Sequence, residues 1–393
     1  MNTLQRVWRD QSVSAIAAGF VTVLGGFASS AAIVFQAAQA LGATPAQAAS
    51  WMWALGIGMG ATCIGLSLRW RMPVVTAWST PGAAVLVTSA AGVPMAEAVG
   101  GFLLSALLIA VAGFSGLFER ALGRIPLSLA SGLFAGVLLR FGMDAFAAIQ
   151  AQPALVLAML AAYLAARRAR SRYAVILALL AGIAVAAAGG QLHAGALRLE
   201  LARPEWTTPR LSLSAVLGVA LPLFVVTMAS QNVPGVAAAQ ASGYRLPLSP
   251  AIGWIGVANV LLAPFGGYAL NLAAITAAIC MGPEAHPDPA RRYVAAVWAG
   301  VFYLLVGVFG ATVAGLFAAF PPALVVAIAG IALLGTLGNS LAAALREEGE
   351  REAALVAMLV TASGLSLLGV GSAFWGLVAG VLVRTALRAR PPG

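Results

Sequence analysis

Two short stretches place helix-starting residues inside apolar surroundings. The first is Trp78-Ser79-Thr80-Pro81-Gly82, preceded by Pro73 and the β-branched run Val74-Val75-Thr76. A Ser or Thr followed by Pro starts a helix, because the hydroxyl caps an orphan amide and Pro fits the first turn. The sequence therefore predicts a short extended segment over 74–78 and a helix from about Pro81. The second stretch behaves alike: Gly266 to Leu270 is read as extended, Asn271 as a cap, and Leu272 to Ile279 as helix. Free amides at membrane depth are costly unless satisfied. Two helix N-termini facing one another from opposite sides would satisfy theirs with an anion, each carrying about half a positive charge. The bland reading is that both stretches are ordinary Pro/Gly kinks, which membrane helices tolerate.

The elements that must hold these stretches follow from composition. The chain has 393 residues, 61% hydrophobic and 9% charged. Soluble domains carry roughly 25% charged residues, and one or two cores could not hide this apolar fraction. The sequence reads as an all-α polytopic membrane protein. Candidate spans are 13–36, 50–68, 74–91, 96–117, 126–146, 153–167, 173–189, 212–231, 250–263, 267–281, 293–315, 321–343, 353–368 and 372–388, fourteen in all. The first is too long for a signal-peptide core, so no cleavage is expected.

All 22 basic residues are arginine, and the net charge is +10. They sit in short loops, which points to orientation in the bilayer and not to nucleic acid. With the N-terminus inside, every arginine except Arg140, Arg198, Arg203 and Arg210 falls on the cytoplasmic side, as do both termini. Charge alone does not separate twelve spans from fourteen. The stretch 346–352 reads as a solvated inner connector. Cys63 and Cys280 form no metal or disulfide spacing, so neither a metal nor a cofactor is expected.

The halves look alike at an offset of about half the chain. Gln36 ends span 1 much as Gln231 ends span 8, and Trp78 corresponds to Asn271. Seven spans per half is odd, so the second repeat must be inverted. Inverted repeats with broken helices mark secondary transporters, with the site near the midplane.

Three motifs then carry a resemblance. Ala77-Trp78-Ser79-Thr80-Pro81-Gly82-Ala83-Ala84, Ala229-Ser230-Gln231-Asn232-Val233-Pro234-Gly235, and Ala263-Pro264-Phe265-Gly266-Gly267 with Asn271-Leu272-Ala273-Ala274-Ile275-Thr276-Ala277-Ala278 resemble the benzoate/proton symporter (BenE) family, in its order and over nearly the whole chain. The resemblance implies a multi-pass transporter of the bacterial inner membrane that imports benzoate or a similar aromatic carboxylate with a proton. It implies kinship to nucleobase permeases and sulfate/anion transporters, which have a seven-plus-seven inverted repeat and are commonly homodimeric. It further implies a core domain of spans 1–4 (residues 1–120) and 8–11 (191–315), and a gate domain of spans 5–7 (121–190) and 12–14 (316–393). Nucleobase permeases of this fold carry acidic residues in spans 8 and 10. Here Ser230-Gln231-Asn232 and Asn271 stand there, which suits an anionic substrate and leaves the proton carrier open.

The expected site places a carboxylate between the two breaks. Ser79, Thr80 and the amides of Gly82 and Ala83 face it from one side, and Asn271, Leu272 and Ala273 from the other. Gln36, Ser230, Gln231 and Asn232 offer further hydrogen bonds. Trp78, Phe27, Phe35, Phe265 and Tyr268 are candidate ring contacts. For each amide the alternative is interhelical bonding, and for Gln36 that alternative is slightly favoured. Asp144 is the proton-coupling candidate, four residues from Arg140 on one helix face, with a structural ion pair as its alternative. Glu97 and Glu119 read as helix-end residues, and His193 and His286 as solvated loop histidines. No span holds the paired carboxylates, Ser/His dyad or metal cluster of an intramembrane enzyme. An uncoupled anion channel, and a transporter of another small anion or a nucleobase, remain as competing readings.

Overall fold

The computed structural model of the chain describes residues 3–90, 92–116, 118, 126–169, 174–192, 199–282, 285–310, 312, 319–365, 367 and 372–388. Glu119 and His193 lie outside the described residues. Among the described residues the architecture is almost wholly helical, with one two-stranded sheet.

The first half holds α1 (Thr3–Asp10), α2 (Val13–Ala40), α3 (Pro45–Trp70), β1 (Thr76–Trp78), α4 (Thr80–Ser89), α5 (Met95–Phe114), α6 (Leu127–Ala147), α7 (Pro153–Arg168) and α8 (Ala174–Ala188). In the second half, α9 is one continuous helical path. It runs through Leu213–Ala215, a wide π turn at Val216–Ala220, Leu221–Thr227, a second wide turn at Met228–Asn232, and Val233–Ala241. Then come α10 (Leu248–Leu262), β2 (Leu270–Leu272), α11 (Ile275–Met281), α12 (Tyr293–Val308), α13 (Pro322–Ala344), α14 (Arg351–Ala362) and α15 (Ser372–Arg388). Among the described residues, five helical stretches are long and apolar enough to cross a membrane: Pro45–Trp70, Met95–Phe114, Leu213–Asn232, Leu248–Phe265 and Pro289–Val308.

The ends of these helices follow local chemistry. Thr44 accepts from the Gln47 amide while Gln47 reaches back to the Thr44 amide, a complete capping box for α3. The two wide turns of α9 each end two residues before a proline. Leu221 N–H bonds Val216 O and Val233 N–H bonds Met228 O, ahead of Pro222 and Pro234. Proline lacks an N–H, and widening the preceding turn by one residue keeps the helix going across the missing donor.

Packing gathers the elements into two sets. α3 lies along α12, α5 along α10, and α2 along α12 with α4 and α11 against it. Separately, α6 lies along α13 and α14, α14 along α15, and α7 along α8. In the first set the backbones approach closely. A Cβ on Gly56 would stand 2.4 Å from the Gly307 Cα. Small residues at such crossings are how membrane helices gain van der Waals contact.

Two expectations are corrected here. The second break has its strand at Leu270–Leu272 and its helix only from Ile275, with Ala274 at the N-cap. Asn271 is therefore a strand residue and not a helix cap. The reason is non-local: β2 pairs antiparallel with β1, Thr76 opposite Leu272, Ala77 opposite Asn271 and Trp78 opposite Leu270. The stretch 346–352 is also more than a solvated connector. Glu350 is buried, and Arg384 Nε donates to both its carboxylate oxygens at 2.9 and 3.0 Å, tying the connector to α15.

Candidate functional site

The two breaks meet. Beyond the three register pairs, the Ser79 amide donates to Ala269 O at 2.8 Å and the Ala273 amide to Val75 O at 2.9 Å. The pairing satisfies backbone groups that an apolar interior would otherwise leave stranded. The first break forms as the sequence predicts. Ser79 caps α4, its Oγ accepting from the Gly82 amide at 3.0 Å, and Pro81 sits in the first turn.

Side chains from other helices hold this crossing. Asn259 of α10 accepts from the Leu270 amide at 2.7 Å and donates to Leu270 O at 3.1 Å. Asn232, in the second wide turn of α9, accepts from the Leu272 amide at 2.9 Å. Thr227 donates to Ser79 Oγ at 3.1 Å. The Thr76 hydroxyl sits 2.6 Å from that of Thr62 and 3.3 Å from the Cys63 sulfur. Trp78 Nε1 donates to Ser30 Oγ at 2.9 Å, and its ring meets Phe27 edge-on at 4.7 Å. Gly235 lets α9 come down onto β2, since a Cβ there would lie 2.7 Å from that of Leu272.

These bonds sort the expected ligands. The amides of Gly82 and Ala83 are engaged by Ser79 Oγ and Ser79 O, and those of Leu272 and Ala273 by Asn232 and Val75. Asn232 is itself occupied, its Nδ2 lying 3.2 Å from Met228 Sδ. The four backbone amides each have a single N–H and it is spent on the crossing, while Asn232 uses both its Oδ1 and its Nδ2 there. Thr80 is half-buried beside the Ser79 cap. Ser230 and Gln231 are half-buried in the second wide turn, and Gln36 is half-buried near the end of α2.

Three expected residues stand apart. Asn271 is fully buried, and neither Nδ2 nor Oδ1 has a hydrogen-bond partner. The Tyr268 hydroxyl and the Ser230 hydroxyl are likewise buried and unpartnered. Buried polar groups are nearly always bonded, so an orphan amide calls for an explanation such as a ligand or water. On a strand, side chains alternate between faces. Leu270 and Leu272 turn one way, toward Gly58 of α3 and Gly235 of α9. Asn271 turns the other way, to the face it shares with Ala77.

Aromatic rings surround the second break. The Tyr268 ring lies 5.8 Å from Trp51 and 6.2 Å from Phe102. Phe265 packs between Trp53 and Trp206, at 5.5 and 5.4 Å, and Phe35 is buried in α2. No charged residue occurs in 13–40, 73–96, 211–241 or 246–283, which carry the breaks and the helices α2, α9 and α10 beside them, and α3 carries Arg69, exposed in its last turn.

The structure does not form the expected Arg140–Asp144 pair among the described residues. Both side chains are exposed near the end of α6, and the Arg140 guanidinium lies over Gly364. His286 is buried rather than solvated, its Nδ1 accepting the Asp288 amide at 3.0 Å. Glu97, in the first turn of α5, accepts from Ser212, the N-cap of α9. Sequence reasoning missed Asn259, Thr227, Thr76 and Ser30. Asn259 had a signal, as an amide in the middle of an apolar run.

Comparison with known proteins agrees with this architecture. The family described as "Benzoate membrane transport protein" (BenE) matches residues 9–386. The chain is 52% identical over 363 residues to "Inner membrane protein YdcO" of Escherichia coli, covering 92% of this chain and 93% of that protein. It is 39% identical over 379 residues to the "Benzoate membrane transport protein" of Acinetobacter baylyi, covering 96% of each. Among solved structures, the transmembrane domain of a cyanobacterial bicarbonate transporter, BicA, superposes with a TM-score of 0.62 over 94% of this chain and 97% of that one, at 16% identity, which speaks to the fold. The chain belongs to the benzoate membrane transport (BenE) family.

Proposed function

We propose that this transporter is a secondary active importer of benzoate or a similar aromatic carboxylate, coupled to a proton, with its site at the crossing of the two breaks. The observation that carries the reading is the Asn271 amide, fully buried and unbonded on both atoms. Tyr268, Ser230 and Thr80 complete the polar set, and the ring of Tyr268 suits an aromatic substrate. At seven residues, α11 is too short to contribute much dipole, so the second side of the site relies on Asn271.

Energetics favour coupling. Moving one anion inward against 100 mV, negative inside, costs about 2.3 kcal/mol, and a co-transported proton cancels that work. The two packing sets support a core domain of residues 1–120 and 191–315 and a gate domain of 121–190 and 316–393. The paired breaks support an inverted seven-plus-seven repeat of fourteen spans, with both termini cytoplasmic in a bacterial inner membrane.

The test is uptake of labelled benzoate into proteoliposomes under an imposed inward pH gradient, against protein-free liposomes, because neutral benzoic acid crosses lipid unaided. Protein-dependent accumulation that collapses with a protonophore is expected. No protein-dependent uptake by a folded preparation rejects the substrate. Conduction without pH coupling or counterflow makes the protein a channel.

A further inference from the structure

The paired breaks suggest an anion site, yet the four amides expected to meet the anion are already used. Ser79, Asn232 and Val75 take up the amides of Gly82, Ala83, Leu272 and Ala273. No arginine or lysine lies in the breaks or in α2, α4, α9 and α10 around them, and Arg69 of α3 is exposed in that helix's last turn. A bare carboxylate there would be a buried charge with no cation, which is expensive. What the crossing does offer is one primary amide with a free donor and a free acceptor side by side. A carboxylate has only acceptors and would leave Asn271 Oδ1 unmatched. A carboxylic acid has an acceptor and a donor in the same spacing.

We infer that Asn271 binds the aromatic acid in its neutral, protonated form, so that the substrate itself is the proton carrier. The Nδ2–H of Asn271 donates to the acid carbonyl, and the acid O–H donates to Asn271 Oδ1. Benzoate takes one proton from water on the outer side, crosses as an intact neutral acid, and releases that proton to water inside. One proton moves per benzoate and no net charge crosses. The inference rests on the benzoate reading above and specifies how its coupling is achieved. The hydroxyls of Tyr268 and Ser230 can donate or accept and serve either form, so the Asn271 amide decides.

No protein group needs to titrate. β2 is packed by β1, α3, α10 and the second wide turn of α9. The ionisable groups of these elements and of the break itself are the Cys63 thiol, the Tyr268 phenol and Arg69, exposed in the last turn of α3. Next outward, α6 carries Arg140 and Asp144, both exposed, and α11 carries Cys280, whose sulfur lies 3.2 Å from Thr22 Oγ1.

Two probes separate the forms: benzamide, permanently neutral with a donor beside an acceptor, and benzenesulfonate, a permanent anion. Each is competed against labelled benzoate on the purified wild-type chain from pH 6 to pH 8. Benzamide is expected to compete and benzenesulfonate to fail. The apparent benzoate affinity should fall about tenfold per pH unit, following the neutral fraction of an acid with a carboxyl pKa near 4. Competition by benzenesulfonate but not benzamide, with affinity flat across this range, overturns the inference and leaves benzoate as substrate. No benzoate binding at any pH by folded protein overturns the substrate reading too, so the two failures are distinguishable.

Discussion

Asn259 holds the backbone of Leu270 from both sides, accepting its N–H at 2.7 Å and donating to its C=O at 3.1 Å, one residue before the unbonded amide of Asn271. Two buried asparagines, adjacent in the fold, thus do opposite work. Asn259 spends its bonds on the scaffold and Asn271 keeps its own. Replacing Asn259 with Leu strands two backbone groups of β2, at about 1–3 kcal/mol each. The variant should lose thermal stability, and benzoate binding with it. An unchanged melting temperature would show that the crossing does not depend on this bond.

Asn271→Leu should act the other way. It removes a buried amide that no protein group bonds, so no protein partner is stranded and stability should be kept or rise. Benzoate binding should weaken by about 10–100-fold for the loss of one to two site bonds. Unchanged benzoate affinity in a folded N271L preparation would remove Asn271 from the site.

Gly235→Ala tests the seating of α9 on β2. The added methyl would stand 2.7 Å from Leu272 Cβ and 2.9 Å from Leu272 O. Overpacking of this kind costs about 1–3 kcal/mol. Because α9 also brings Thr227 to Ser79 and Asn232 to Leu272, transport should fall by more than stability does. Full transport by the variant in proteoliposomes would show that the contact relaxes freely.

Asp144→Asn asks whether a protein carboxylate carries the proton. With Asp144 exposed and the substrate as carrier, accumulation of benzoate under a pH gradient should match wild type. Loss of accumulation with counterflow retained would restore Asp144 as the proton site.

Ser79→Ala removes a cap and the acceptor of Thr227 together. A lost cap costs about 1 kcal/mol, and the stranded Thr227 hydroxyl adds to it. The melting temperature should fall while N271L keeps its own, which separates scaffold from ligand contact in one experiment.

The first break was legible because its signals are local. Ser79 caps, Pro81 pre-sets the first turn, and both lie within four residues. The second break was legible in place but not in kind. Its start at Ile275, and Asn271's position on a strand, depend on bonds to Val75, Ala77 and Ser79 in the other half of the chain. Periodicity carries no trace of such pairing. The same holds for the site. Asn271, Tyr268 and Ser230 were recognisable as polar residues in apolar runs, but only the structure separates them from Asn232, whose identical amide is spent on Leu272. The wide turns of α9 had a readable cause in Pro222 and Pro234, though the sequence reading treated that span as plain helix.

The β1–β2 pairing also sets an order of events during synthesis. Each strand is the other's sole sheet partner among the described residues, yet Ala77 and Asn271 leave the ribosome roughly 190 residues apart, a delay of about 10–40 s at 5–20 residues per second. Throughout that interval the edge of β1 has no mate. The N-terminal helices can enter the bilayer but cannot close around their own break. The last step in assembling the transport site is therefore the arrival of the second half, and a chain truncated before Leu270 should be held as an unfinished membrane intermediate, open to quality-control proteases at the very crossing where the substrate is proposed to bind.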